Sequence, residues 1–247
     1  MNFKYYDRIS SIIKTVQNEE IKGMEKSVDL LKQAILKKKN IYVFGSSHAG
    51  ILTQELYYRA GGLMTINPIF PKETMLDTTP ITRTSKMERL EGYGEIIGKE
   101  VNFSEGDLLL IHSVSGRNPQ TIEVAMEAKK NNATVVCITN LEYSKSVTSR
   151  HSSGKKLYEI ADVVLDNHGD IGDASVYIKS LKSKVTPTSS IISIYLAQEI
   201  ITQSIIELTE EGFTNIPIFY SANLDGGDEL NRKLYEEYKD NIKYKMY

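Results

Sequence analysis

A single cysteine, Cys137, among 247 residues excludes an internal disulfide and fits a reducing cytoplasm better than an oxidising compartment. It lies in the apolar run Val135-Val136-Cys137-Ile138 and reads as a small core residue rather than a reactive thiol. Charge of one sign is also missing. Thirty Lys and Arg against 32 Asp and Glu leave a net charge of −2, so no broad basic field exists to hold nucleic acid or an anionic membrane. The first eight residues are polar and lack the apolar stretch of a signal peptide. The greasiest segment, Ile191 to Ile206, is broken by Gln198, Glu199 and Gln203, too polar for a bilayer span. No internal repeat or low-complexity tract is present. The dinucleotide fingerprint G-x-G-x-x-G is absent, and no Gly-Lys-Ser/Thr marks a nucleotide P-loop. Asp170, Asp173, Asp225 and Asp228 are scattered through turns without the spacing of a metal loop. No metal and no cofactor are assigned.

Hydrophobic periodicity organises what is there. Ile9, Ile12, Ile13 and Val16, then Met24, Val28, Leu31 and Ile35, predict one long or two consecutive amphipathic helices over 3–38. Short apolar runs at 40–45, 63–70, 108–113, 134–139 and 161–166 predict five strands. Helical stretches are expected over 48–60, near 85–90, over 121–130 and over 188–208, with a last helix ending at Tyr238. Residues 72–104, with Pro80, Gly92, Gly94 and Gly98, read as a polar, irregular insertion. Strand–helix alternation argues for an α/β fold with a parallel sheet covered on both faces. The chain is read as a single domain, with an α/β core at about 40–210 and a tail at 212–247. Ligands of such sheets bind at the carboxyl ends of the strands, beside the topological switch point.

Three serine-bearing turns follow apolar runs or open helices. The first is Gly45-Ser46-Ser47-His48-Ala49-Gly50, and the second is Ser113-Val114-Ser115-Gly116-Arg117-Asn118. The third, Thr186-Pro187-Thr188-Ser189-Ser190, opens the long helix. Hydroxyls, free N–H groups and the helix dipole at such places favour an anion. Ser46, Ser47, Ser113, Ser115, Arg117, Asn118, Thr188 and Ser189 are therefore candidate substrate-binding residues. Plain helix capping by Ser47 or Thr188 is the competing reading. Arg150 to Lys155 concentrates positive charge that either neutralises a phosphate or forms a solvated loop. His48 and Glu55 are seven residues apart on one expected helix, about 10 Å along its axis. They are candidate catalytic groups: Glu55 to abstract a proton beside a carbonyl, His48 to donate one. Arg59, at i+4 from Glu55, is either a binding residue or a helix-surface partner.

Phe44-Gly45-Ser46-Ser47-His48, Ile111 to Asn118 and Pro187-Thr188-Ser189-Ser190 together resemble the sugar isomerase (SIS) domain, in SIS order over about 35–210. More closely, Glu55 to Gly62, Glu88 to Tyr93, Ser149 to Lys155 and Ser221 to Asp228 resemble the UPF0309 group of SIS proteins over nearly the whole chain. The resemblance implies a doubly wound, flavodoxin-like three-layer sandwich with a five-stranded parallel sheet and added N- and C-terminal helices. It also implies a homodimer or higher oligomer, and phosphosugar binding by the serine turns. Glu55-Leu56-x-x-Arg59 is similar to a segment of sedoheptulose-7-phosphate isomerases in which the glutamate is a catalytic base. Those enzymes add a histidine on the C-terminal helix. Gln198 to Ile206 has none, so His48 or a partner subunit would have to replace it.

These features predict a cytoplasmic SIS protein that binds a sugar monophosphate, with isomerase- or lyase-type proton transfer. The alternative is a non-catalytic phosphosugar sensor acting through a protein partner; a purely structural oligomer would leave the three turns unexplained. Apolar coverage of the N-terminal helices and of the helix from Thr188 beyond one stripe predicts self-association.

Overall fold

The computed structural model describes residues 1–246. Each of the five apolar runs forms a strand: β1 (Ile41–Gly45), β2 (Ile66–Pro68), β3 (Leu108–His112), β4 (Thr134–Thr139) and β5 (Val163–Asp166). All pair in parallel, in the order β2-β1-β3-β4-β5. The chain steps one way from β1 to β2 and the other way to β3, so the switch point lies between β1 and β3. β2 is shorter than the expected 63–70. Leu63 instead bridges Ile218 of the tail, and Pro68 has no N–H to extend the ladder.

Helices cover both faces of the sheet. α1 (Lys4–Glu19) and α2 (Ile21–Leu36) break at Glu20 and confirm the N-terminal pair. α2, the short α3 (Ile51–Leu56) and the long α8 (Ser189–Glu210) bury Val28, Leu31, Leu52, Leu196 and Ile200 on one face. Although α8 has the length and hydropathy of a span, its apolar side is core. The opposite face takes α5 (Tyr93–Val101) and α6 (Pro119–Lys130), through Ile97, Val124, Ala125 and Ala128. Each buried Val, Leu or Ile contributes about 1.5–3 kcal/mol, so packing rather than propensity holds these helices. Cys137 is buried in this second face as expected.

The 72–104 segment departs from expectation. It holds two helices, α4 (Thr82–Met87) and α5, where irregular chain with one helix was expected. Gly94 and Gly98 are not breakers but contact points. A Cβ on Gly94 would lie 2.2 Å from the Gln120 carbonyl oxygen, and one on Gly98 would lie 2.5 Å from Glu127 Cβ. Only glycine lets α5 approach α6 so closely. α7 (Leu141–Ser146) follows β4, and an antiparallel hairpin, β6 (Ala174–Ile178) and β7 (Ser183–Pro187), precedes α8. The apolar pattern of the sequence does not predict that hairpin. α9 (Gly227–Tyr238) ends as expected and helps bury Met64 beneath Leu234 and Tyr238.

The helix expected over 48–60 is also shorter. Residues 47–50 form a 3-10 turn and α3 stops at Leu56. Tyr57 turns to an extended conformation and packs edge-on to Phe70 and Tyr244, while Tyr58 meets Phe219. Edge-on aromatic contacts with the tail replace one more helical turn.

Candidate functional site

β1 and β3 are neighbours in register, with Gly45 opposite His112, so the first two serine turns emerge side by side at the switch point. Gly45 is required there. A Cβ would lie 2.4 Å from the Ala49 carbonyl oxygen, because the turn folds back onto the strand end. Ser47 adopts φ +54°, a left-handed conformation that non-glycine residues rarely hold. Such strain persists where the surroundings over-determine it, commonly at binding sites.

The second turn is built from β4. Ser113 N–H donates to the Ile138 carbonyl at 3.1 Å, and the Thr139 hydroxyl donates to the Ser113 carbonyl at 2.7 Å. Gly116, at φ +58°, donates its N–H to Ser113 Oγ at 3.3 Å and closes the bend. His112 ties the two turns together, because its Nδ1 lies 3.2 Å from the Ala49 carbonyl oxygen. A carbonyl partner places the hydrogen on Nδ1, which leaves Nε2 a buried acceptor without a partner. Burial pushes this imidazole down to about 4, so it is neutral at physiological pH.

The candidate hydroxyls differ in availability. Ser46 is buried and donates to Gln120 Oε1 at 2.5 Å, while Gln120 Nε2 donates to Thr74 at 3.1 Å. Ser189 is engaged by Asp173. Among the described residues, the half-buried Ser47 and Ser115 hydroxyls take no partner within the chain. His48 is exposed in the 3-10 turn and Glu55 lies on the following α3, so they do not share one regular helix. Glu55 pairs with Arg59 beyond the end of α3, the surface-pair alternative, and both side chains are partly open to solvent.

Positive charge gathers beside the second turn. Arg150 Nη1 donates to Asn118 Oδ1 at 2.8 Å, and Asn118 Nδ2 donates to Glu88 Oε2 at 2.7 Å. Asn118 therefore bridges two charged groups instead of capping α6 with its side chain. Partial burial, then repulsion from Arg117 and Arg89, pulls the Arg150 guanidinium below its ordinary value. Arg117 Nε is buried without a partner, although its Nη2 reaches Thr148 at 3.4 Å. Burial raises the Glu88 carboxyl. The 149–153 loop is docked rather than merely solvated: His151 Nε2 sits 3.5 Å from Glu123, and Ser152 N–H donates to Glu91 at 2.6 Å.

Sequence reasoning missed four residues here. His112 and Gln120 directly flank the second turn and its proline, so proximity in sequence was the available signal. Glu88 came with the insertion read as irregular. Asp173 was noted only as one of several turn acids, yet it caps α8 through the Thr188 and Ser189 N–H groups at 3.1 and 2.8 Å.

A doubly wound sheet with serine turns at its switch point is the architecture of a SIS domain, and the SIS-domain family model matches residues 4–140. Within that family the chain belongs to the UPF0309 group. It is 48% identical over 241 residues to the UPF0309 protein of Shouchella clausii, covering 98% of both chains. Among solved structures, the phosphoheptose isomerase of Neisseria gonorrhoeae is similar with TM-score 0.55 and 15% identity, over 82% of this chain and 96% of that one. The sugar isomerase domain of an RpiR transcription factor from Sphaerobacter thermophilus has TM-score 0.50 and 14% identity, over 95% and 96%. These last two likenesses are of fold.

Proposed function

We propose that this chain binds a sugar monophosphate between the first two serine turns and performs isomerase- or lyase-type proton transfer on it. The observation that carries the binding is the placement of Arg150 on Asn118, at 2.8 Å beside the Ser113–Gly116 turn, where Arg117 and Arg89 both repel it. A guanidinium repelled by its neighbours gains most from a dianionic ester beside it. Unpartnered hydroxyls on Ser47 and Ser115 supply further donors. The isomerase-named neighbour with the same fold supports the ligand class. Glu55 is the proposed base, paired with Arg59, with His48 or a partner subunit's group as acid. A cytoplasmic homodimer is the proposed setting. Ile191 and Ile206, exposed on α8, support self-association, and light scattering checks it.

Thermal shift against hexose, hexosamine and heptose phosphates tests the binding. At millimolar concentration a ligand of micromolar affinity adds about 4 kcal/mol. A folded protein whose midpoint none of them raises would sink the assignment.

The Glu55–Arg59 pair also favours a second reading. The proposed base is already engaged, and no hydrogen bond or ion pair from a second acid–base group reaches it among the described residues. On that reading the chain is a phosphosugar sensor that signals through a protein partner. Glu55→Gln separates the two: binding kept with turnover lost marks an enzyme, and a parent that turns over no ligand it binds marks a sensor.

A further inference from the structure

The donors that open α8 already hold an anion of the chain's own making. Asp173 Oδ1 accepts from the Thr188 N–H at 3.1 Å and the Ser189 N–H at 2.8 Å, and Oδ2 accepts from the Ser189 hydroxyl at 2.6 Å. Three donors at the head of a 22-residue helix would otherwise suit a ligand's anionic group. The carboxylate is delivered by the loop between β5 and β6. Asp173 sits there at φ +71°, directly after Gly172 at φ +81°. A non-glycine residue in that region costs on the order of 1 kcal/mol, so the seat is filled against local strain.

The loop is pinned rather than loose. Asp170 pairs with Arg8 at 3.0 Å and with Lys184 at 2.7 Å, and the Asp173 N–H donates to the Asp170 carbonyl at 2.8 Å. Ser175 Oγ lies 3.2 Å from Thr188 Oγ1 and closes the other side. The seat also adjoins the switch-point turns. α8 packs against the 47–50 turn, and a Cβ on Gly169 would lie 3.4 Å from Thr188 Oγ1 and 3.3 Å from Asn140 Nδ2 at the end of β4.

We propose that Asp173 determines specificity: it gives the third serine turn a fixed negative charge, so the site accepts one phosphate and reads the far end of the ligand as hydroxyl or ammonium. This rests on the first two turns holding the phosphate. A bisphosphate would bring its second dianion against the carboxylate and be rejected, whereas a hexosamine phosphate would be favoured. Thr188 and Ser189 then act on the ligand only through Asp173.

The test is calorimetric titration of the full chain and of Asp173→Asn with a hexose 6-phosphate, a hexosamine 6-phosphate and a hexose 1,6-bisphosphate. The amide keeps the shape and one acceptor but removes the charge. The variant is expected to tighten bisphosphate relative to monophosphate by tenfold or more, and to lose the preference for the amine. Ratios within twofold of the parent's overturn the proposal. If no sugar phosphate binds either protein, the reading of the first two turns has failed. A second arm, Asp173→Ser with inorganic phosphate alone, then decides. A larger thermal shift than the parent's supports the occupied seat, and an equal shift overturns it. Circular dichroism of both variants shows that α8 is intact.

Discussion

His112 on β3 meets the Ala49 carbonyl of the first turn at 3.2 Å, so one buried ring clamps together the two loops that flank the switch point. Its isolation has a cost in acid. The folded pKa, about 4, lies below the unfolded value of 6.5, so below pH 6.5 the unfolded chain binds the proton first. Stability from this group is full above pH 6.5 and is lost as the pH falls towards 4, by at most about 3 kcal/mol. Urea unfolding from pH 7 to pH 4.5 is expected to show this slope. In His112→Gln the slope should flatten, because the amide can donate to Ala49 without titrating. An unchanged slope would assign the acid sensitivity elsewhere.

Ser47 pays for its position with backbone strain. A left-handed conformation costs a serine about 1–2 kcal/mol, while glycine loses about 0.5–1 kcal/mol of extra chain entropy on folding. Ser47→Gly is therefore expected to match or slightly exceed the parent in denaturant stability. Its affinity for a sugar phosphate should fall about tenfold, because an unpartnered hydroxyl is gone. Ser47→Val should lose both stability and binding, since a branched side chain fits that conformation worst. A Gly variant less stable than Val would refute the strain argument.

Strands were the legible part of this sequence, because a fully buried parallel strand is written as a continuous apolar run. All five runs hold strands, and the switch point follows from their order. The serine turns were legible for the same reason, being the polar breaks after β1 and β3. What escaped was set by contacts distant in sequence. α5 was hidden because Gly94 and Gly98 look like breakers until α6 is laid against them. The end of α3 at Leu56 depends on Tyr244 and Phe219, more than 150 residues away. Asp173 gains its meaning only when its loop reaches the head of α8. Availability of a hydroxyl, as in Ser46 against Ser47, is likewise a tertiary fact, fixed by where Gln120 falls.

The α5–α6 contact makes a second prediction about glycine. In a free helix Gly→Ala stabilises by about 1 kcal/mol. At Gly94 the new methyl would meet main chain, the Gln120 carbonyl, at 2.2 Å, and overpacking of that kind costs about 1–3 kcal/mol. Gly94→Ala is therefore expected to be destabilised, whereas Gly61→Ala, with open space around it, should suffer only the strain of its φ of +81°. Gln120 also holds Ser46, so Gly94→Ala should weaken sugar-phosphate binding from outside the pocket. Equal stability of the Gly94 variant and the parent would mean that the helices can part at little cost.

Arg150 offers the sharpest separation of binding from stability. Its guanidinium is largely exposed, is repelled by Arg117 and Arg89, and gains one charged hydrogen bond to Asn118. An exposed interaction of this kind is worth about 0–1 kcal/mol, and removing one of three like charges gives part of it back. Arg150→Met should thus unfold within about 0.5 kcal/mol of the parent. A phosphate ligand sees the opposite balance, since it loses a charge-assisted partner worth about 1.5–3 kcal/mol. Sugar-phosphate affinity should fall tenfold or more at low salt, and the gap should narrow at 0.5 M salt as screening weakens the parent's advantage. A variant that binds as tightly as the parent at low salt would remove the guanidinium cluster from the site and leave the hydroxyls to hold the anion alone.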